Sequence, residues 1–196
     1  MESDRFSTAI RLFDEANSAD PNREIVDGLG QPKELIYGRR MSECLGRFAP
    51  DASEAVRLAA RCQHIRRWEI PRDSYPRDRA GYLRWRTTLR KFHADAAGEI
   101  LTSAGYATEI VERVQSLLRK ENLKTNPETQ VLEDVICLVF LQYYFDDFVG
   151  QHAHEPEKIV DIVRKTWVKM SDAGHEAALK LVFTDRSKAL VLEALS

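Results

Sequence analysis

Two histidines set among arginines are the residues of this chain best suited to chemistry. His64 and His93 lie in residues 58–99, which read LAARCQHIRRWEIPRDSYPRDRAGYLRWRTTLRKFHADAAGEI up to the glutamate before the final isoleucine. An imidazole titrates nearest neutrality, so a neutral ring can move a proton or bind a metal, and a protonated one can pair with phosphate. Arg66, Arg67, Arg72 and Arg86 share the stretch. Guanidinium is a planar, permanently charged fork that matches phosphate oxygens in pairs. Trp68, Tyr82 and Trp85 interleave with these arginines and offer faces on which a base can stack. Arg39 and Arg40, in YGRRM, and Lys120 and Lys124, in RKENLK, are further candidates for anion binding.

The formal net charge of −2 hides an asymmetry. Between Arg57 and Lys91 eleven basic residues outnumber three acids, whereas between Glu128 and Asp161 eight acids stand against Lys158 alone. Such a split suits an anionic ligand on one face; the plainer reading is a solvated basic face whose arginines lie over apolar neighbours. Each histidine carries a plain alternative too. His64, at the end of an alanine-rich helix, suits a C-terminal cap, and His93, beside Phe92 and before Ala96 and Ala97, suits a satisfied core position. Glu121 is a candidate acid-base partner. Asp134 opens an apolar helix, where capping competes with a role as a pocket carboxylate. His152 and His154, at a helix end, are expected to be solvated; His175 falls near the acidic C-terminal part.

The elements that must position these groups are helical. Apolar residues recur at helical spacing over residues 4–17, 33–48, 53–67, 78–104, 108–118, 131–149, 156–170 and 174–195. Residues 20–32 and 68–77, with their prolines, read as loops, the first long enough to fold over something. No strand alternation or fixed-period repeat is evident, so the expected fold class is all-α, a single-domain helical bundle. With 43% apolar and 31% charged residues the composition is that of a soluble globular domain. No window approaches the ~20 apolar residues of a membrane span, and a cytoplasmic location without membrane contact is expected. Cys44, Cys62 and Cys137 form no CxxC pair. P-loop, GxGxxG, GxSxG, HExxH and zinc-finger patterns are absent, which removes many enzyme classes.

The order LAARCQHI, FHADAAGEILTSAGY, IVERVQSLLRKE and LEDVICLVFL resembles the HD-domain superfamily of metal-dependent phosphohydrolases. More closely, YGRRM, QHIRRWEIPR, YP.DRAGYLRWR and FHA resemble a family described only as a domain of unknown function. The first resemblance implies an HD-like core over about residues 35–141 with helices from 155–196 packed on it. It maps His64 onto the histidine of the His-Asp doublet and His93 onto the next. The chain departs from that pattern: Ile65 stands where the metal-bridging acid belongs, Tyr37 or Arg39 replaces the first histidine, and Lys120 and Glu121 replace late ones. The standard divalent metal centre is therefore expected to be lost; any ion would have to be held by His64 and His93 with Asp134 or Glu121.

The sequence thus points first to an HD-like enzyme acting on a phosphate ester or nucleotide. His64, His93 and Glu121 would do acid-base work while the arginines clamp the anion. The alternative is an inactive HD-like module that binds a nucleotide or RNA through the same groups. A third reading pairs the basic and acidic faces of two copies.

Overall fold

The computed structural model describes residues 3–196. The fold is all-α, with ten α-helices and one two-stranded hairpin among the described residues. The chain divides into two compact units, Met1–Thr129 and Gln130–Ser196. No helix of the described residues is long and apolar enough to cross a membrane.

In the first unit, helix α1 (Ser3–Ser18) buries Ala9 and Phe13 on one face and packs against the helices that follow. Residues 20–32, expected to be a loop, instead contain a hairpin of β1 (Arg23–Val26) and β2 (Leu29–Pro32). Its two-residue turn is Asp27-Gly28, both at positive φ (51° and 78°). An Asp-Gly pair adopts the left-handed geometry that matches strand twist, and this local signal outweighs the missing alternation in four-residue strands. The Arg40 guanidinium of α2 (Lys33–Phe48) donates to Glu24 and ties the hairpin down.

Helix α3 (Glu54–Arg61) starts at Ser53, whose Oγ accepts the Val56 N–H at 3.4 Å. It buries Val56, Leu58, Ala59 and Ala60 almost completely and lies at the centre of this unit, in contact with α1, α2 and α5. It stops at Arg61, short of the expected Arg67. The chain continues as turns over residues 62–66, and at their end Asn17 Oδ1 of α1 accepts the Arg66 N–H at 3.0 Å, with Arg66 in a left-handed conformation at φ 50°. The chain then passes through two short 3-10 turns, Arg67–Glu69 and Arg72–Ser74. Helix α4 (Arg79–Ser103), capped by Asp78, runs beside α5 (Thr108–Arg119).

Close approach of α2 and α3 depends on Gly38, where a Cβ would lie 2.6 Å from the Arg61 carbonyl oxygen. Backbone cannot yield as a side-chain tip can, so Gly38→Ala must force the helices apart. Its expected cost is about 1–3 kcal/mol, the usual range for overpacking, read as a lowered urea midpoint at unchanged slope.

Helix α6 (Pro127–Val139) starts in the first unit and carries most of its length in the second. Leu132, Val135, Leu138 and Val139 are buried, as the apolar run VICLVFL requires. The helix widens to i→i+5 bonding over Phe140–Tyr144 before α7 (Phe145–Gln151). Helix α8 (Pro156–Trp167) packs on α10 (Asp185–Leu195). The single helix expected over residues 174–195 is two, α9 (Asp172–Ala178) and α10, because the Thr184 hydroxyl caps a new start at Ser187 N–H.

Candidate functional site

The first turn of α2 and the turn after α3 meet around His64. Glu34, one residue into α2, points inward and is only 7% exposed. Two buried groups, Asp20 and Asn17, hold its backbone there. The Asp20 Oδ2 accepts the Glu34 N–H at 2.9 Å, capping a helix whose own N-cap, Pro32, has no side-chain bond to give. Asp20 Oδ1 accepts both the backbone and side-chain N–H of Asn22, at 2.9 Å each. Asn17 Nδ2 donates to the Glu34 carbonyl at 3.3 Å while its Oδ1 holds Arg66. One asparagine therefore sets the spacing between Glu34 and the His64–Arg67 turn.

His64 sits between a carboxylate and a guanidinium. Its Nδ1 lies 3.1 Å from Glu34 Oε2 and its Nε2 lies 2.9 Å from Arg67 Nη1. Arginine can only donate, so Nε2 is the acceptor and the proton resides on Nδ1, donated to Glu34. The Arg67 Nε is also 3.8 Å from Glu34 Oε1, closing a triangle. Tyr37, one turn along α2, stacks on the imidazole with ring centroids 4.0 Å apart. Burial pushes the His64 pKa well below its ordinary value, and the Arg67, Arg86, Lys120 and Lys33 cations push the same way. Burial raises the Glu34 carboxyl in turn, against the pull of Arg67 and Lys33.

His93, on α4, closes the site from behind. Its Nδ1–H donates to the Ile65 carbonyl at 2.8 Å, and its ring lies 5.8 Å from that of His64. The ring is 4% exposed, and its Nε2 is buried with no hydrogen-bond partner. A bare lone pair in such a place is an acceptor that awaits a donor. Burial, then the neighbouring His64, lowers the His93 pKa to about 3.

Arginine and aromatic side chains lead from this centre to the surface. Arg67 lies over the Trp85 ring at 4.9 Å, and Arg72 lies 5.8 Å from Trp85 and 6.0 Å from Tyr82. Trp85 is buried and donates its Nε1–H to the Ile70 carbonyl, so it serves as a wall; Tyr82 is the exposed aromatic.

A model of the family described as domain of unknown function (DUF4202) matches residues 7–191. The chain belongs to this family. No curated protein and no solved structure matches it.

Within this DUF4202 chain the remaining sequence candidates scatter. Arg66 pairs with Glu69 at 2.6 Å, and Arg72 donates to the Tyr75 carbonyl at 3.0 Å. Arg86 and Lys120 stand near enough to His64 to shift its titration, whereas Arg39 and Lys124 are exposed. Trp68 is half-buried. Glu121 is exposed and held by Arg119 at 2.6 Å, with its carboxyl pKa lowered by that bond. Asp134 is committed elsewhere: Oδ1 and Oδ2 accept the Ser171 N–H and Oγ–H at 2.8 and 2.6 Å, fixing the start of α9.

The donors also fail to fit a divalent ion of the HD type. Among the described residues no group of three or more His, Cys, Asp and Glu side chains is placed to hold one. Ile65, which the HD resemblance would set against the bridging acid, is wholly buried and offers His93 its carbonyl.

Glu34 is the residue of this cluster that sequence reading missed. An acid in the first turn of a helix is ordinarily explained by the macrodipole. The available signal was its phase: Glu34, Tyr37, Gly38 and Met41 occupy the buried face of α2.

Proposed function

We propose that the protein is an acid-base enzyme acting on a phosphate ester or nucleotide at the Glu34–His64–Arg67 cluster. The observation that carries this reading is a neutral imidazole fixed by a buried carboxylate at Nδ1 and by a guanidinium at Nε2, with Arg86, Lys120 and Lys33 close by. Arg67, Arg86 and Lys33 around the imidazole make a setting that suits an anion. Phosphate oxygens compete for the Arg67 fork, and when it turns to them the His64 Nε2 lone pair is released. That nitrogen takes the proton of an attacking water; the water oxygen bonds to phosphorus as the ester P–O bond breaks, and the imidazolium returns the proton to the leaving oxygen. Glu34 holds the ring and stabilises the imidazolium, as a carboxylate does in other catalytic dyads. His93 Nε2 supplies an acceptor that orients the water. No step is assigned to a metal.

The sequence resemblance to HD-domain phosphohydrolases points to the same chemistry with a different source of charge. The three buried cysteine thiols suit a reducing cytoplasm.

The second reading, a module that binds a nucleotide or RNA without turnover, is favoured by Arg67 masking His64 in this state. One experiment separates the two: the purified protein is assayed against nucleotides, phosphomonoesters and short RNA, with Mg²⁺, with Mn²⁺ and with chelator, and binding is followed in parallel. Turnover is expected for the enzyme, with Arg67→Ala weakening binding by about tenfold or more, as loss of a charged hydrogen-bonded contact does. Binding with flat rates under every condition leaves the module. Absence of both overturns the anion site itself.

A further inference from the structure

We propose that the second unit carries a separate binding site for a small aromatic monocarboxylate, in a groove between α8, the 179–183 segment and α10. The groove encloses about 290 Å³, at the lower end for small-molecule sites, and its walls are largely apolar. Trp167 and Phe183 line it, and Leu179, Val182 and Leu192 at its margin are 61%, 94% and 57% exposed. Three large apolar side chains left in water around one concavity mark a surface that meets something apolar.

Three features define the occupant. Trp167 is preorganised: His175 stacks on its indole at 4.2 Å with the planes 6° apart, and His175 Nε2–H donates to the Trp167 carbonyl at 2.9 Å. Trp167 itself, rather than His175, lines the groove, so an aromatic ring is available to a flat ligand. Phe183 is similarly braced edge-on by Phe145. Lys188 is the one charged residue of the lining. A single cation beside two aromatic walls matches a ligand with one negative head and an aromatic body. A polyanion would lack countercharge there, and a partner helix would need a longer track. This site is independent of the His64 cluster.

The probe is 3-phenylpropionate, with 3-phenylpropionamide as its uncharged analogue, titrated into the full chain and followed by Trp fluorescence and by NMR. The acid is expected to bind about tenfold more tightly than the amide, the worth of one charge-assisted contact. Lys188→Gln should bring the acid to the affinity of the amide and leave the amide unchanged, and Ala178→Phe, which fills the groove, should abolish both. No binding of either compound overturns the proposal. So does equal binding that Lys188→Gln does not alter, and so does a dimer, seen by sedimentation, that Ala178→Phe dissociates, since the groove would then belong to a second copy. Circular dichroism and urea unfolding of each variant separate lost binding from lost folding.

Discussion

His64→Asn is expected to lower the turnover of phosphate esters by about 10²–10⁴-fold, the usual worth of a positioned acid-base group, while leaving the urea midpoint near that of the parent. Asparagine can keep one bond to Glu34 or Arg67 and cannot carry the proton. Arg67→Ala acts differently: it unmasks Nε2 at the cost of the clamp, so KM should rise more than kcat falls. Glu34→Gln keeps the shape and removes the charge that steadies the imidazolium, and a loss of roughly tenfold or more in kcat is expected. The pH profile distinguishes these roles. Burial and the surrounding cations hold His64 well below its ordinary pKa, so it is already a free base at neutral pH. The acid limb of kcat/KM should therefore lie below the pKa of an ordinary histidine, and Glu34→Gln should move it lower still. Equal rates in the parent and His64→Asn, at any pH, would remove His64 from the chemistry.

What the sequence reveals of this site divides by range. His64, Arg67 and Ile65 are neighbours in the chain, and Trp85 follows on the next helix, so their association needs only one turn and a loop. His93 reaches the same place by docking its Nδ1–H on Ile65, and its apolar neighbours foretold its burial without its partner. Glu34 lies 30 residues from His64, and the contact depends on Asn17 and Asp20, which read as an ordinary helix end and an ordinary loop acid. Nothing in local periodicity encodes such a bond. Asp134 shows the converse: two readings were open at a helix start, and the Ser171 amide and hydroxyl chose the structural one. The helices were legible because their buried faces repeat at the helical period. The hairpin was not, because four-residue strands with exposed Ile25 and Leu29 give no alternation to read, and only Asp27-Gly28 announces it.

His93 should also make the fold acid-sensitive. In the unfolded chain its imidazole titrates near 6.5, whereas in the folded chain burial and His64 lower it to about 3. Between those values the unfolded chain binds more protons, so stability rises with pH; the contribution is whole above pH 6.5 and is lost progressively as pH falls. The slope approaches ~1.4 kcal/mol per pH unit, or on the order of 5 kcal/mol over the full window, for this ring alone. His64, also lowered, adds in the same direction. Glu34 works against both: its folded pKa is raised, so the stability it lends is present at low pH and lost as pH rises through that folded value. Arg67 faces the pair with its charge unchanged throughout. Urea unfolding of the parent at pH 7, 6 and 5 should show a falling midpoint. In His93→Gln the amide nitrogen can still donate to the Ile65 carbonyl but nothing titrates, so the midpoint should change less with pH by about one proton's worth. Parallel slopes in the two proteins would mean that His93 is protonated as readily inside the fold as outside it, and its Nε2–H would then have found an acceptor that its buried surroundings do not provide.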